Sequence, residues 1–98
     1  MNPILIEVLT SPDCPHSPRA LKIAKHTVAG LRMPAVVREV SIATDEGKAR
    51  AMECEIAATP TITINGRIAY VGVPSQKKML ALLDYAIDRE KESTSYFF

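Results

Sequence analysis

The sequence contains little of what several large classes of protein require. It has no tryptophan, only three tyrosines and two phenylalanines, two cysteines and two histidines. Two cysteines are too few for the disulfide framework of a small secreted domain, and the Cys and His residues lack the spacing of a structural zinc site. No apolar run approaches the roughly 20 residues that a membrane-spanning helix needs. We therefore expect a protein of a reducing compartment, the cytoplasm, without a metal site.

Neither sign of charge dominates. The formal net charge is +1, from 12 Lys and Arg against 11 Asp and Glu, and the basic residues are scattered along the chain. This distribution does not indicate binding to nucleic acid or to a membrane surface. Residues 1–3 lead directly into an apolar run, which predicts no signal peptide. The 98 residues, 47% of them hydrophobic, predict one domain at 1–98, with its core at about 4–88 and a C-terminal tail at 90–98.

The spacing of the apolar residues predicts the element order β-α-β-α-β-β-α. The predicted elements are a strand at 4–9, a helix from Pro15 or Ser17 to about Ala29, a strand at 35–42, a helix from Thr44 or Asp45 to about Cys54 or Ile56, two strands within 61–71 and a helix at 76–89. Strand–helix–strand implies a parallel pair, and Asn65-Gly66 favours a type I′ hairpin turn. We therefore expect an α/β fold in which three helices flank a four-stranded mixed sheet.

Helical periodicity also predicts which side chains face the core. On the second and the last predicted helices, the expected inward side chains are Ala49, Met52 and Ile56, then Met79, Leu80, Leu83, Ala86 and Ile87. The aromatic residues of the tail, Tyr96 to Phe98, are expected to fold back on the core.

Cys14 lies where the first strand gives way to the first helix, in the sequence Cys14-Pro15-His16-Ser17. A helix N-terminus has unpaired N–H groups and a partial positive charge, and both stabilise a thiolate. Pro15 suits the first helical position, because the N–H that it lacks would be unpaired there. Ser17 can donate its hydroxyl to the sulfur one turn later, and a protonated His16 would add positive charge. The pattern predicts a reactive thiol with a lowered pKa; the alternative is a small buried structural cysteine.

Three separated motifs resemble the thioredoxin/glutaredoxin family, most closely the small glutaredoxin-like thioredoxins of archaea and bacteria. Residues 10–18, Thr-Ser-Pro-Asp-Cys-Pro-His-Ser-Pro, are similar to the family's redox turn. Residues 58–61, Ala-Thr-Pro-Thr, are similar to its cis-proline loop, and residues 71–75, Val-Gly-Val-Pro-Ser, to its glycine loop. The resemblance covers roughly residues 4–88 and implies a thioredoxin-like fold.

The resemblance also implies roles for individual residues. Cys14 would be the attacking thiol, and Pro60 would follow a cis peptide bond; the alternative for Pro60 is a trans proline that starts a strand. Thr59 would offer its backbone to an extended substrate segment, while Gly72 and Val73 would form the far wall of the groove. The implied partners are a protein or small molecule that contains a disulfide and, as electron donor, a reductase or low-molecular-weight thiol. No cofactor is implied, and the chain would be a monomer or a weak dimer.

One departure from the family pattern is that its second cysteine is Ser17 here. Serine cannot release a mixed disulfide, so an external thiol must do so, as in monothiol glutaredoxins. Serine is also the replacement that traps a mixed disulfide, so an engineered Cys-Pro-His-Cys site is an alternative. Cys54 is the other candidate resolving thiol, but its predicted helical position points away from the inward side. Glu7 lies one residue too far from Cys14 to match the family's buried carboxylate, and we assign it no catalytic role.

Three functions therefore remain open on the sequence. The first is a thiol–disulfide oxidoreductase of monothiol type. The second is a non-enzymatic thioredoxin-like binding module that uses the same groove. The third is an iron–sulfur carrier, in which the Cys14 sites of two chains and external thiols would hold a cluster. A lowered pKa of Cys14 favours the first over the second, because a binding module does not need a thiolate.

Overall fold

Strand β1, Ile4–Thr10, is the element on which the sheet is built. The computed structural model describes the backbone of residues 3–95 and the side chains of residues 3–89. The expected packing of Tyr96 to Phe98 concerns a tail that lies outside the described residues. The other elements follow in the order α1 (Ser17–Ala29), β2 (Ala35–Ser41), α2 (Asp45–Glu53), β3 (Thr61–Ile64), β4 (Arg67–Val71) and α3 (Gln76–Ser95).

The four strands form one mixed sheet with the order β2-β1-β3-β4. β1 pairs with β2 in parallel and with β3 antiparallel, and β3 pairs with β4 antiparallel. Asn65 and Gly66 connect β3 to β4 with φ angles of 52° and 86°, the positive values that a type I′ turn requires. The expected α/β fold, with a four-stranded mixed sheet and three helices, is confirmed. α3 continues beyond Arg89, where the sequence predicted its end, to Ser95.

The main core lies on the sheet face that α1 and α3 cover. Successive strand residues point to opposite faces, so Ile4, Ile6 and Val8 of β1 share one face. These three side chains are buried in one cluster with Ala20 and Ala24 of α1. Met79 and Leu83 of α3 complete the cluster from the other helix. Two helices are therefore fixed against the same face, and both begin at the same edge of the sheet.

Helix α2 covers the opposite face, and its inward side is not the predicted one. Met52 is 79% exposed and Ala49 is also exposed, so the prediction that they face the core is wrong. The backbone of α2 instead approaches the sheet at Gly47, where a Cβ atom would overlap the backbone carbonyl of Ser41. Arg50 extends from the same side of the helix to the buried carboxylate of Glu7. A close backbone approach and an ion pair, not an apolar stripe, thus set the orientation of α2.

A smaller correction concerns α3. Leu80 is 40% exposed, so the prediction that it faces the core is wrong, while Leu82 packs against the core cluster. Within the part of the chain that the structure describes, no helix is both long and apolar enough to cross a membrane.

Candidate active site

Three loops meet at the edge of the sheet where β1 ends. In the strand register, Leu9 of β1 lies opposite Thr61 of β3, and Thr61 lies opposite Val71 of β4. The loop after β1, the loop before β3 and the loop after β4 must therefore open at one edge, because neighbouring strands are only about 4.8 Å apart. This register brings the three sequence motifs together, although 39 residues, 19–57, separate the first from the second.

Cys14 is held by two turns that precede α1. Its N–H donates to the Ser11 carbonyl at 3.1 Å, and its own carbonyl accepts from the N–H of Ser17 at 3.3 Å. α1 begins at Ser17 with His16 as its N-cap residue, so Pro18, and not Pro15, occupies its first turn. Cys14 thus lies just before the helix, not within its first turn as the sequence predicted. The Cys14 side chain is half-buried.

The thiol of Cys14 faces the loop before β3. Its Sγ atom donates to the backbone carbonyl of Thr59 at 3.4 Å, and the peptide bond between Thr59 and Pro60 is cis. The Pro60 carbonyl accepts from the N–H of Gly72 at 2.8 Å, which joins the loop after β4 to the same site. Gly72 has a φ of 107°, a conformation that favours glycine. Val73 is half-buried and packs against the core cluster.

Local hydrogen bonds lower the pKa of Cys14 below its ordinary value. The largest cause is the hydroxyl of Ser17, and partial burial opposes it; the side chain of Thr59 and then the backbone N–H groups of His16 and Ser17 also lower the pKa. Ser17 is 3% exposed, and its Oγ atom accepts the N–H of Ser11 at 3.3 Å. That acceptor role leaves the hydroxyl proton of Ser17 free to point at the sulfur. His16 contributes through its backbone, not through the imidazole that the sequence suggested.

Replacing Ser17 by alanine should raise the pKa of Cys14. The hydroxyl stabilises the thiolate, so its removal favours the thiol and shifts the midpoint of thiolate formation to higher pH. At pH 7 the variant should therefore hold less thiolate and react more slowly. The measurement is the rate of iodoacetamide alkylation against pH in a Cys54→Ser background, which leaves Cys14 as the reporting thiol. A midpoint that does not move would show that the Thr59 side chain and the backbone N–H groups stabilise the thiolate without Ser17.

Cys54 and Glu7 do not belong to this site. Cys54 is the C-cap residue of α2, and its half-buried thiol contacts the Gly66 carbonyl at 3.9 Å. Gly66 follows β3, whereas Pro60 precedes it, and four strand residues span about 13 Å. The carboxylate of Glu7 is buried beneath α2, where Arg50 and Arg38 approach it at 3.2 and 3.5 Å. Ser11 is the residue that sequence reasoning missed; a serine three residues before a turn cysteine gives no distinctive signal.

The sheet order, the helix arrangement and the cysteine turn beside a proline loop define a protein with the thioredoxin fold. A family model described as the thioredoxin domain matches residues 4–84. This chain therefore belongs to the thioredoxin family.

Comparisons with individual proteins support this assignment over most of the chain. Thioredoxin of Methanocaldococcus jannaschii is 36% identical over 80 residues, which are 82% of this chain and 92% of that protein. A crystallised mutant of the thioredoxin-like protein BC3987 is 25% identical, with a TM-score of 0.60 over 80% of this chain and 97% of that one. A protein disulfide oxidoreductase from Aeropyrum pernix is 26% identical, with a TM-score of 0.63 over 85% of this chain but 35% of that one.

Proposed function

We propose that this protein is a thiol–disulfide oxidoreductase of monothiol type in which Cys14 is the nucleophile. The observation that carries the proposal is a half-buried thiol with a lowered pKa, 3.4 Å from the backbone of the proline loop at the open edge of the sheet. A thiolate attacks disulfides and a thiol does not, so the donors around the sulfur serve this chemistry. The name of the Aeropyrum pernix neighbour supports the same reaction class.

The reaction begins when the Cys14 thiolate attacks one sulfur of a substrate disulfide. A mixed disulfide forms, and the other substrate sulfur leaves as a thiolate that takes a proton from water. Because position 17 is a serine, an external thiol then attacks the substrate sulfur of the mixed disulfide and releases the Cys14 thiolate. A second external thiol exchanges with the new disulfide. One substrate disulfide is reduced to two thiols, and two external thiols are oxidised to one disulfide.

The groove beside Cys14 would hold the substrate next to the sulfur. We assign the binding of an extended substrate segment to the backbone of Thr59 beside Pro60, with Gly72 and Val73 as the opposite wall. The Gly72 N–H already donates to the Pro60 carbonyl. This N–H group therefore supports the proline loop and is not available to a bound substrate. The electron donor would be a low-molecular-weight thiol or a reductase. Both described cysteines are free, which suits a cytoplasmic, reducing location.

The reduced protein should form a stable one-to-one mixed disulfide with 2,2′-dithiodipyridine at Cys14. Release of pyridine-2-thione, followed by absorbance, gives the rate, and the mass of the intact protein gives the adduct. Cys54→Ser should retain the fast reaction because Cys54 lies beyond the other end of β3. Cys14→Ser should lose it. Slow reaction at Cys14, no faster than that of a free thiol at the same pH, would contradict the proposal and favour a binding module.

A further inference from the structure

The two sequence segments that supply α1 and the start of α3 contain no acidic residue, while Asp13 precedes Cys14 and Glu39 accepts a hydrogen bond from Thr10 at the end of β1. Residues 14–38, which supply the cysteine turn, α1 and most of β2, contain five Lys or Arg and no Asp or Glu. Residues 56–83, which supply the proline loop, the glycine loop and the start of α3, contain three Lys or Arg and again no Asp or Glu. Acidic residues lie elsewhere, mainly in and around α2 and in α3 from Asp84 onward.

The fold brings positive charges of both segments together. Lys22 and His26 of α1 line a groove of about 210 Å³ together with Gln76, the first residue of α3. The first turn of α3 therefore lies beside the middle of α1. Arg19 is three residues before Lys22 and so shares its side of the helix, and Lys77 follows Gln76 directly. These three cations, Arg19, Lys22 and Lys77, are exposed, and we refer to them as the basic rim.

Charges within the protein do not neutralise the basic rim. The ion pairs among the described side chains, residues 3–89, join Arg38 and Arg50 to Glu7, Glu46 and Glu53, on and beneath α2. Lys77 also lies in the first turn of α3, which contains no acidic residue. A helix N-terminus carries partial positive charge and disfavours a cation there. The basic rim therefore increases the positive electrostatic potential that the N-termini of α1 and α3 already produce.

We propose that the basic rim selects protein disulfides whose flanking residues are acidic. The inference rests on the proposed function and names its substrate class. The rim extends along α1 and across to α3, and packed helices lie about 8–10 Å apart. One small disulfide cannot contact both helices, whereas a peptide segment of several residues can. Complementary charge accelerates encounter and fixes the orientation of the bound segment.

The test uses three synthetic peptides, each with one central cysteine. Glutamates flank the cysteine in the first peptide, glutamines in the second and lysines in the third. Each peptide is used as its disulfide-linked dimer. The reduced Cys54→Ser protein is mixed with each peptide, and mass spectrometry gives the rate of mixed-disulfide formation at Cys14. Flanking charge also changes the intrinsic reactivity of a disulfide. Each rate is therefore divided by the rate of the same peptide with β-mercaptoethanol, which carries no charged group other than its reacting thiolate.

At low salt the glutamate peptide should react about tenfold or more faster than the lysine peptide after this correction, and the ratio should approach one at about 1 M salt. The double variant Lys22→Glu/Lys77→Glu should reverse the preference, and a circular dichroism spectrum that matches that of the parent protein shows that the variant is folded. Lys48→Glu, which makes the same charge reversal at an exposed position of α2, should keep the preference for the glutamate peptide.

Equal corrected rates for the three peptides would overturn the inference. A loss of preference in Lys48→Glu as large as in the double variant would overturn it as well, because net charge would then explain the effect. If none of the three peptides forms a mixed disulfide, the proposed function fails and the inference fails with it. If the glutamine peptide reacts but charge has no effect, only the inference fails.

Discussion

Replacing Ser17 by cysteine is expected to accelerate insulin reduction at least about tenfold with dithiothreitol as donor. Cys14 and Ser17 lie in one turn, in which the N–H of Ser17 donates to the Cys14 carbonyl at 3.3 Å. A thiol at position 17 would face the mixed disulfide on Cys14 and attack it without diffusing. Intramolecular groups reach effective concentrations far above the millimolar concentration of an added thiol. The external thiol would then be needed only to reduce the protein after each cycle.

The rate of insulin precipitation distinguishes the sources of resolving thiol. We compare the unsubstituted protein with its Ser17→Cys and Cys54→Ser variants at several dithiothreitol concentrations. The chain with Ser17 should show a rate that rises with dithiothreitol, and its Cys54→Ser variant should match it. Equal rates for the unsubstituted protein and its Ser17→Cys variant would mean that resolution of the mixed disulfide does not use position 17. If Cys54→Ser then removed the activity, Cys54 would reach the site despite its place at the far end of β3.

The sequence was sufficient to predict the sheet, and with it the meeting of the three motifs, because the strands and the hairpin depend on local signals. The Asn65-Gly66 turn fixes the hairpin of β3 and β4, and the nearly continuous apolar run of β1 predicts a strand that is covered on both faces, as the structure shows. Once these registers are set, the loops that contain Cys14 and Pro60 must meet at one edge. The cysteine, proline and glycine motifs, which are far apart in sequence, are therefore neighbours in the fold.

The orientation of α2 could not be predicted in this way, because it depends on contacts distant in sequence. Periodicity favoured Met52 as an inward residue, yet Gly47 approaches Ser41 and Arg50 reaches across to Glu7. Nothing local marks Arg50 as the partner of a glutamate 43 residues earlier. The grouping of Arg19, Lys22 and Lys77 has the same origin. These cations are scattered along the chain, and only the packing of α1 beside α3 gathers them.

The second large effect is expected at the buried carboxylate of Glu7. Glu7 is 1% exposed, and Arg50 approaches it at 3.2 Å, while Arg38 approaches at 3.5 Å from a side chain that is 44% exposed. Replacing Arg50 by methionine removes the closer partner and leaves a buried charge with one partly solvated cation. Breaking a buried pair from one side costs about 3 kcal/mol of unfolding free energy. Urea unfolding followed by circular dichroism measures this cost.

A double variant separates the value of the ion pair from that of α2 packing. Within the described residues, Arg50 Nε and Thr63 Oγ1 are buried without a hydrogen-bond partner, so the polar cluster around Glu7 is only partly satisfied. Replacing such a pair by apolar residues of similar size is often neutral or stabilising, and Glu7→Leu/Arg50→Met should therefore recover most of the loss. Glu46→Gln, which weakens an exposed contact to Arg38, should cost at most about 1 kcal/mol. The single variants Glu7→Leu and Arg50→Met are measured as well. If the double variant instead lost as much unfolding free energy as the two single variants together, Glu7 and Arg50 would not be coupled. The close approach of Gly47 alone would then hold α2 on the sheet.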